Sequence, residues 1–277
     1  MSAPLLPPEL ERHIFLLAAY KDPATGAILL RVASRVLTWV EPTLYESLDL
    51  HHSRSLVALV SAAKKKPHLL RLGVEQLMIP YSDSLEGDLE KRNINEALRL
   101  CVRLQRLTLA SSLGSTTVLE ILSDLPLRRL VASVEHLLSP TLPTQGSIVE
   151  AAQLFKHLTH LESFDSMSRG SNAESLAFLA ALPALTHFAS VDPPPDIDTW
   201  LKALPRLRVL VLFHLPDSPR PTDQRLAVTF WELWHEGACD EESYWDRADE
   251  FLEKKARGEV PETEFRTEYQ KFAGALR

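Results

Sequence analysis

The sequence predicts an α/β fold built by repetition: about seven short parallel strands, each followed by a helix. Three observations point there. Leucine supplies 50 of the 277 residues against only nine glycines. The leucines recur in one spaced cluster, and helical stretches, several closed by proline, fill the intervals between clusters.

The clusters read apolar-x-x-apolar, with a further apolar residue close behind. They are Tyr45/Leu48/Leu50, Val74/Leu77/Ile79, Leu104/Leu107/Leu109, Leu127/Leu130, Leu158/Leu161/Phe164, Leu185/Phe188 and Leu207/Leu210/Leu212. Their first positions are 29, 30, 23, 31, 27 and 22 residues apart, a mean of 27. Helical spacing of apolar residues marks Ser55–Ala63, Asn93–Leu98, Thr117–Leu125, Ile148–Leu158, Glu174–Leu182 and Ile197–Leu204. Pro67, Pro126, Pro183 and Pro205 end helices, because proline has no amide hydrogen and disfavours helix in the residue before it. The unit of helix, stop and strand resembles the leucine-rich repeat. That resemblance implies an irregular solenoid over residues 45–215, with leucines buried between a parallel sheet and a helical layer.

The register singles out one column of side chains. The residue before each second apolar position is expected on the open, concave sheet face: Ser47, Gln76, Arg106, Arg129, His160, His187 and Val209. Its central members are basic or can become so. The next column, Met78, Thr108, Val131, Glu162, Ala189 and Val211, is mostly small or apolar. Gln76, Arg106, Arg129, His160 and His187 are therefore the candidate substrate-binding residues. They suit an acidic or phosphorylated peptide, since guanidinium forks match carboxylate and phosphate oxygens. The alternative is a solvated stripe with no ligand.

Residues 1–44 lie outside the repeat. Pro7 and Pro8 suit a helix start. Helix is expected through Ile14–Ala19, a break at Lys21–Gly26, and a second helix from Ala27 to Val40. Ile14, Leu17 and Ala18 share one face; Leu29, Val32, Val36 and Trp39 or Val40 share another. Leu6-Pro7-Pro8-Glu9, Ile14-Phe15, Val32-Ala33-Ser34-Arg35 and Trp39-Val40-Glu41-Pro42-Thr43-Leu44-Tyr45 follow in order. Together they resemble the F-box motif, in the divergent form abundant in mushroom-forming fungi. The resemblance implies a small all-α segment in which Leu6, Pro7, Ile14, Phe15 and Val32 contribute to binding a Skp-type adaptor. Alternatively, these helices only close the open end of the repeats.

Residues 216–277 change character. Three of the five tryptophans fall within residues 231–245, and residues 222–277 hold 14 acidic against 8 basic groups. A charged helix from Tyr244 to Arg257 is expected to turn Trp245, Ala248, Phe251 or Leu252 and Ala256 inward, as part of a helical cap over the last repeat. A further helix would carry Phe265, Tyr269 and Phe272.

Signatures of chemistry are missing. The chain has no glycine-rich phosphate loop and no Gly-x-Ser-x-Gly elbow. His157-x-x-His160 lacks the intervening glutamate of a metal-binding helix and straddles an expected helix end and strand start. Cys101 reads as core. The net charge of −7 argues against a nucleic-acid surface. Apolar runs are too short for a bilayer, and two distant cysteines suit a reduced compartment, cytoplasmic or nuclear. No cofactor and no metal are expected. The resemblances imply a non-catalytic substrate-recognition subunit of a cullin-RING ubiquitin ligase, with an unknown protein substrate on the solenoid. The alternatives are a leucine-rich interaction scaffold with no ligase role, and an enzyme with a dispersed site.

Overall fold

A computed structural model of the chain describes residues 6–51, 53–79, 88–109, 116–138, 145–166, 172–194, 196–215, 221–230 and 243–267. Eight strands form one sheet in the order of the sequence. They are β1 (Ser47–Asp49), β2 (Gln76–Ile79), β3 (Arg106–Leu109), β4 (Arg129–Ala132), β5 (His160–Ser166), β6 (His187–Asp192), β7 (Val209–Leu212) and β8 (Leu226–Val228). The pairings of β1 with β2 and of β4 through β8 are parallel.

Each of the first seven strands begins two residues after the first apolar position of its cluster. That leading residue closes the turn into the strand and is deeply buried at Val74, Leu104, Leu127, Leu158, Leu185 and Leu207. The eighth strand was not expected. It lies inside residues 216–277, and Gln224 stands where a leading apolar residue would have announced it.

The chain divides into two compact units, residues 1–107 with 124–126, and 108–123 with 127–277. The first unit opens with α1 (Pro8–Lys21), α2 (Pro23–Leu29), α3 (Ser34–Val40) and a 3-10 turn, η1 (Glu41–Tyr45). The expected break at Lys21–Gly26 is instead a helix start. The Asp22 carboxylate accepts the amide hydrogens of Ala24 and Thr25 at 3.0 and 3.2 Å, and Pro23 occupies the first turn. The real interruption follows α2, so Ala27–Val40 is not one helix. That is why Val32 does not continue the buried face of Val36 and Val40. Ala19, Val36 and Val40 form the small core here, with Phe15, Leu29, Leu30, Ala33 and Trp39 packed around it. Arg35 on α3 grips Glu11 on α1 with two hydrogen bonds of 3.0 and 2.5 Å.

The rest of this unit comprises β1, α4 (Ser53–Lys65), α5 (Pro67–Gly73), β2 and α6 (Asp88–Leu100). Pro67 does more than end α4: it starts α5, a helix that the apolar spacing does not announce. Gly73 lets α5 press against η1, since a Cβ there would sit 2.6 Å from the Pro42 carbonyl oxygen. Cys101 is core as expected; it donates to the Ala97 carbonyl, and burial pushes its thiol up to about 12.

The second unit carries α7 (Thr116–Ser123), α8 (Val134–Leu138), α9 (Gln145–Leu154), α10 (Asn172–Ala181) and α11 (Ile197–Ala203) between its strands. Strand residues alternate faces. Phe188 on one face of β6 stacks on Trp200 of α11 at 6.3 Å, and Phe155 meets Phe178 edge-on at 6.1 Å. Helix ends leave unpaired carbonyls, and arginines from the next repeat satisfy them. Arg206 donates to Ala180 and Leu182, and Arg225 to Leu201, Leu204 and Leu207.

The last described helix, α12 (Tyr244–Ala256), is capped at both ends from its own sequence. Ser243 and Asp246 form a reciprocal capping box. At the other end the Gly258 amide reaches the Lys255 carbonyl and the Glu259 amide the Lys254 carbonyl, a Schellman closure that Gly258 permits with φ of 74°. Beyond it Phe265 is not helical. It runs extended beside β8, where its carbonyl accepts from Val228 at 2.6 Å and the Thr267 amide donates back to the Val228 carbonyl at 2.9 Å. Tyr269 and Phe272 lie outside the described residues.

Candidate functional site

Two surfaces carry the residues singled out by the sequence. The first is α1, which is apolar on two opposite sides. Phe15 and Ala19 turn toward the small core, where Phe15 is half-buried. Leu10, Ile14 and Leu17, spaced as one helical face, are 54%, 53% and 49% exposed. Leu6 and Pro7, in front of the helix, are exposed, as are Ile28 and Val32 in the segment that follows. A helix normally buries its apolar stripe. Here one stripe is buried and the other stands in water. Four of the five expected adaptor-binding residues are therefore surface; Phe15 belongs to the packing.

The second surface is the column of strand residues. The register is the expected one: Ser47 pairs with Gln76, Arg129 with His160, His160 with His187, and His187 with Val209. In the first unit Gln76 is buried and Arg106 exposed. In the second unit the column is covered by α12, so the expected open stripe is corrected there. The helix does not sit over the end of the repeats alone. Its Tyr244, Trp245, Ala248 and Phe251 form one cluster with Ala189, Val209, Val211 and Ala227 of the sheet. The small strand residues leave room for large rings from the helix, each worth about 1.5–3 kcal/mol on burial.

Polar side chains organise the other half of this contact. The rings of His160 and His187 stack at 4.1 Å with an 11° tilt, and Trp245 meets both edge-on at 5.2 and 5.8 Å. His187 Nε2 lies 3.2 Å from the Asp249 carboxylate, and its Nδ1 lies 2.8 Å from Thr186 Oγ1, a hydroxyl that also reaches the Thr159 carbonyl at 3.3 Å. His160 Nδ1 lies 2.8 Å from Thr159 Oγ1, whose own hydrogen reaches the Arg128 carbonyl at 3.1 Å, so this ring donates from Nδ1. Arg129 reaches Ser243 Oγ at 3.4 Å. The Tyr244 hydroxyl donates to the Glu162 carboxylate, which is buried in the neighbouring column.

The electrostatics follow from that enclosure. Burial pushes His160 down to about 3, the nearby His187 and Arg129 add to it, and Asp246 opposes. Burial also lowers His187, against the pull of Asp249. Burial together with the Glu162 charge raises Tyr244 well above the phenol range. Both imidazoles are thus held neutral, since two stacked cations beside an arginine would repel.

Ser133, His136 and Asp165 also converge, but not as a nucleophilic triad. The serine hydroxyl sits between the other two, donating to Asp165 and lying 2.7 Å from His136 Nδ1, whereas a triad needs the histidine in the middle. The Asp165 carboxylate also takes the Glu135 amide hydrogen at 3.0 Å, so the group caps the start of α8. Among the described residues no three histidine, cysteine or acidic side chains gather as for a metal.

Glu162, Tyr244 and Asp249 were not foreseen as site residues. A carboxylate in an otherwise apolar column was the one available signal for Glu162. Comparison with known proteins adds no relationship: no family model matches the chain, and no curated protein matches it. Among the described residues no helix is long and apolar enough to cross a membrane.

Proposed function

We propose that the chain is a non-catalytic recruitment subunit of a cullin-RING ubiquitin ligase. In this reading the N-terminal helices are an F-box-like segment that binds a Skp-type adaptor. The repeats form a leucine-rich-repeat-like solenoid that holds a protein substrate. The observation that carries it is the outward apolar stripe of α1, Leu10, Ile14 and Leu17, on a helix whose opposite side is already packed. A stripe of that kind fits helix-in-groove binding. Recruitment needs no bond chemistry; it raises the local concentration of substrate beside the ligase.

The test is a pull-down of the full chain with a purified Skp-type adaptor, beside the double variant Leu10→Asp, Ile14→Asp. Both positions are exposed, so the variant keeps its circular dichroism spectrum. Burying unpaired carboxylates in an apolar interface costs several kcal/mol, so capture is lost in the variant. An intact chain that fails to capture the adaptor overturns the proposal. The second reading, an interaction scaffold with no ligase role, draws on Phe15, Val36 and Val40, which spend much of the N-terminal apolar surface on internal packing.

A further inference from the structure

We infer that the sheet face carrying Arg129, His160 and His187 is a groove for an exchangeable helix, with α12 as its resident occupant. The partner it fits is an amphipathic helix whose first turn presents an aromatic pair, with carboxylates on the same side one turn further on. This deepens the recruitment reading, on which it rests for the meaning of the groove as the substrate seat.

Three features of the contact support it. The first is the composition of the bed beneath α12. Glu162 and His187 are buried there and Arg129 and His160 half-buried, all costly to enclose, and an apolar lining would hold a permanent layer more cheaply. Groups that hydrate readily suit a face that is at times open to water. The second is that α12 is self-contained. Its capping box and Schellman closure satisfy its terminal backbone groups locally, so it can leave and return without orphaning them. The third is charge complementarity along the contact. Arg129 lies near Asp246, and His187, with Arg208 nearby, meets Asp249, while Tyr244, Trp245 and Phe251 fill the trough between small residues. The segment after α12 stays tied to β8 through Phe265 and Thr267, which keeps a released helix close and makes its return fast.

Two measurements decide it. In hydrogen exchange on the intact protein, α12 amides exchange together and at least about 100-fold faster than those of β5 to β7, the mark of a layer that opens on its own. In fluorescence anisotropy, a labelled peptide of residues 243–257 binds the full-length variant Trp245→Ala, Phe251→Ala about tenfold tighter than it binds the unaltered chain. A peptide with the position-245 tryptophan replaced by alanine does not bind. Equal protection of α12 and β5 to β7 overturns the inference whether or not the variant folds. So does a variant that keeps β5 to β7 protected yet takes no peptide. Loss of adaptor capture with peptide binding intact sinks the recruitment reading and leaves the groove; the reverse result sinks the groove alone.

Discussion

The outward face of α1 and the sheet face beneath α12 are opposites in composition and in exposure. Leu10, Ile14 and Leu17 are apolar and stand in water, whereas Arg129, Glu162, His160 and His187 are ionisable and lie under a helix. Burial by itself favours the reverse arrangement. An exposed apolar stripe costs the folded chain little, because it is equally wet in the unfolded state. A covered polar face is costly unless each group finds a partner; here Ser243, Tyr244 and Asp249 supply some partners, and Thr159 and Thr186 beside the strands supply others. Both surfaces therefore depart from the arrangement that burial alone favours, one as an open apolar face and one as a covered polar one.

The largest effect is expected from removing the main anchor of α12. Trp245→Ala deletes the ring that meets both histidines and is expected to cost about 3–5 kcal/mol, read as a lower urea midpoint. A loss below about 1 kcal/mol would show the face to be hydrated already. Tyr244→Phe removes only the hydroxyl that serves the Glu162 carboxylate, and about 1.5–3 kcal/mol is expected for a buried bond to a charged group.

Acid should discriminate the two surfaces next. His160 in the folded chain lies far below its ordinary value of 6.5. Its neutral form is thus favoured by folding, so its contribution is complete above about pH 6.5 and is lost as pH falls toward 3. At pH 5 the loss is about 2 kcal/mol, and His187, also lowered, adds in the same direction. Urea midpoints at pH 7.5, 6 and 5 should converge between the unaltered chain and His160→Gln as pH falls. Parallel curves would mean that the ring titrates normally. The smallest effect is expected at α1: Leu10→Asp with Ile14→Asp should move the melting midpoint by less than about 0.5 kcal/mol per site. A large loss would place that stripe in an internal contact.

Legibility in the sequence followed the range of the interactions. Seven strands were located from leucine spacing, each at a constant offset of two from its leading residue, and the column from Ser47 to Val209 was read in its true register where the pairings are seen. β8 was missed because Gln224 breaks the pattern, and α5 and α8 because a proline and a five-residue span gave no helical period. Of the site, Trp245, Ala248 and Phe251 were placed on the inner side of their helix, while Tyr244 was not.

The repeated α/β frame is therefore local in origin, because strand alternation, helical period and capping are set by neighbours a few residues apart. Which faces are covered depends on contacts between segments far apart in the chain. Tyr244 meets Glu162 across 82 positions and Asp249 meets His187 across 62. Nothing local in either segment encodes such a pairing. It arises when a small-residue trough, a partly charged stripe and a self-capped helix find each other after the strands have stacked.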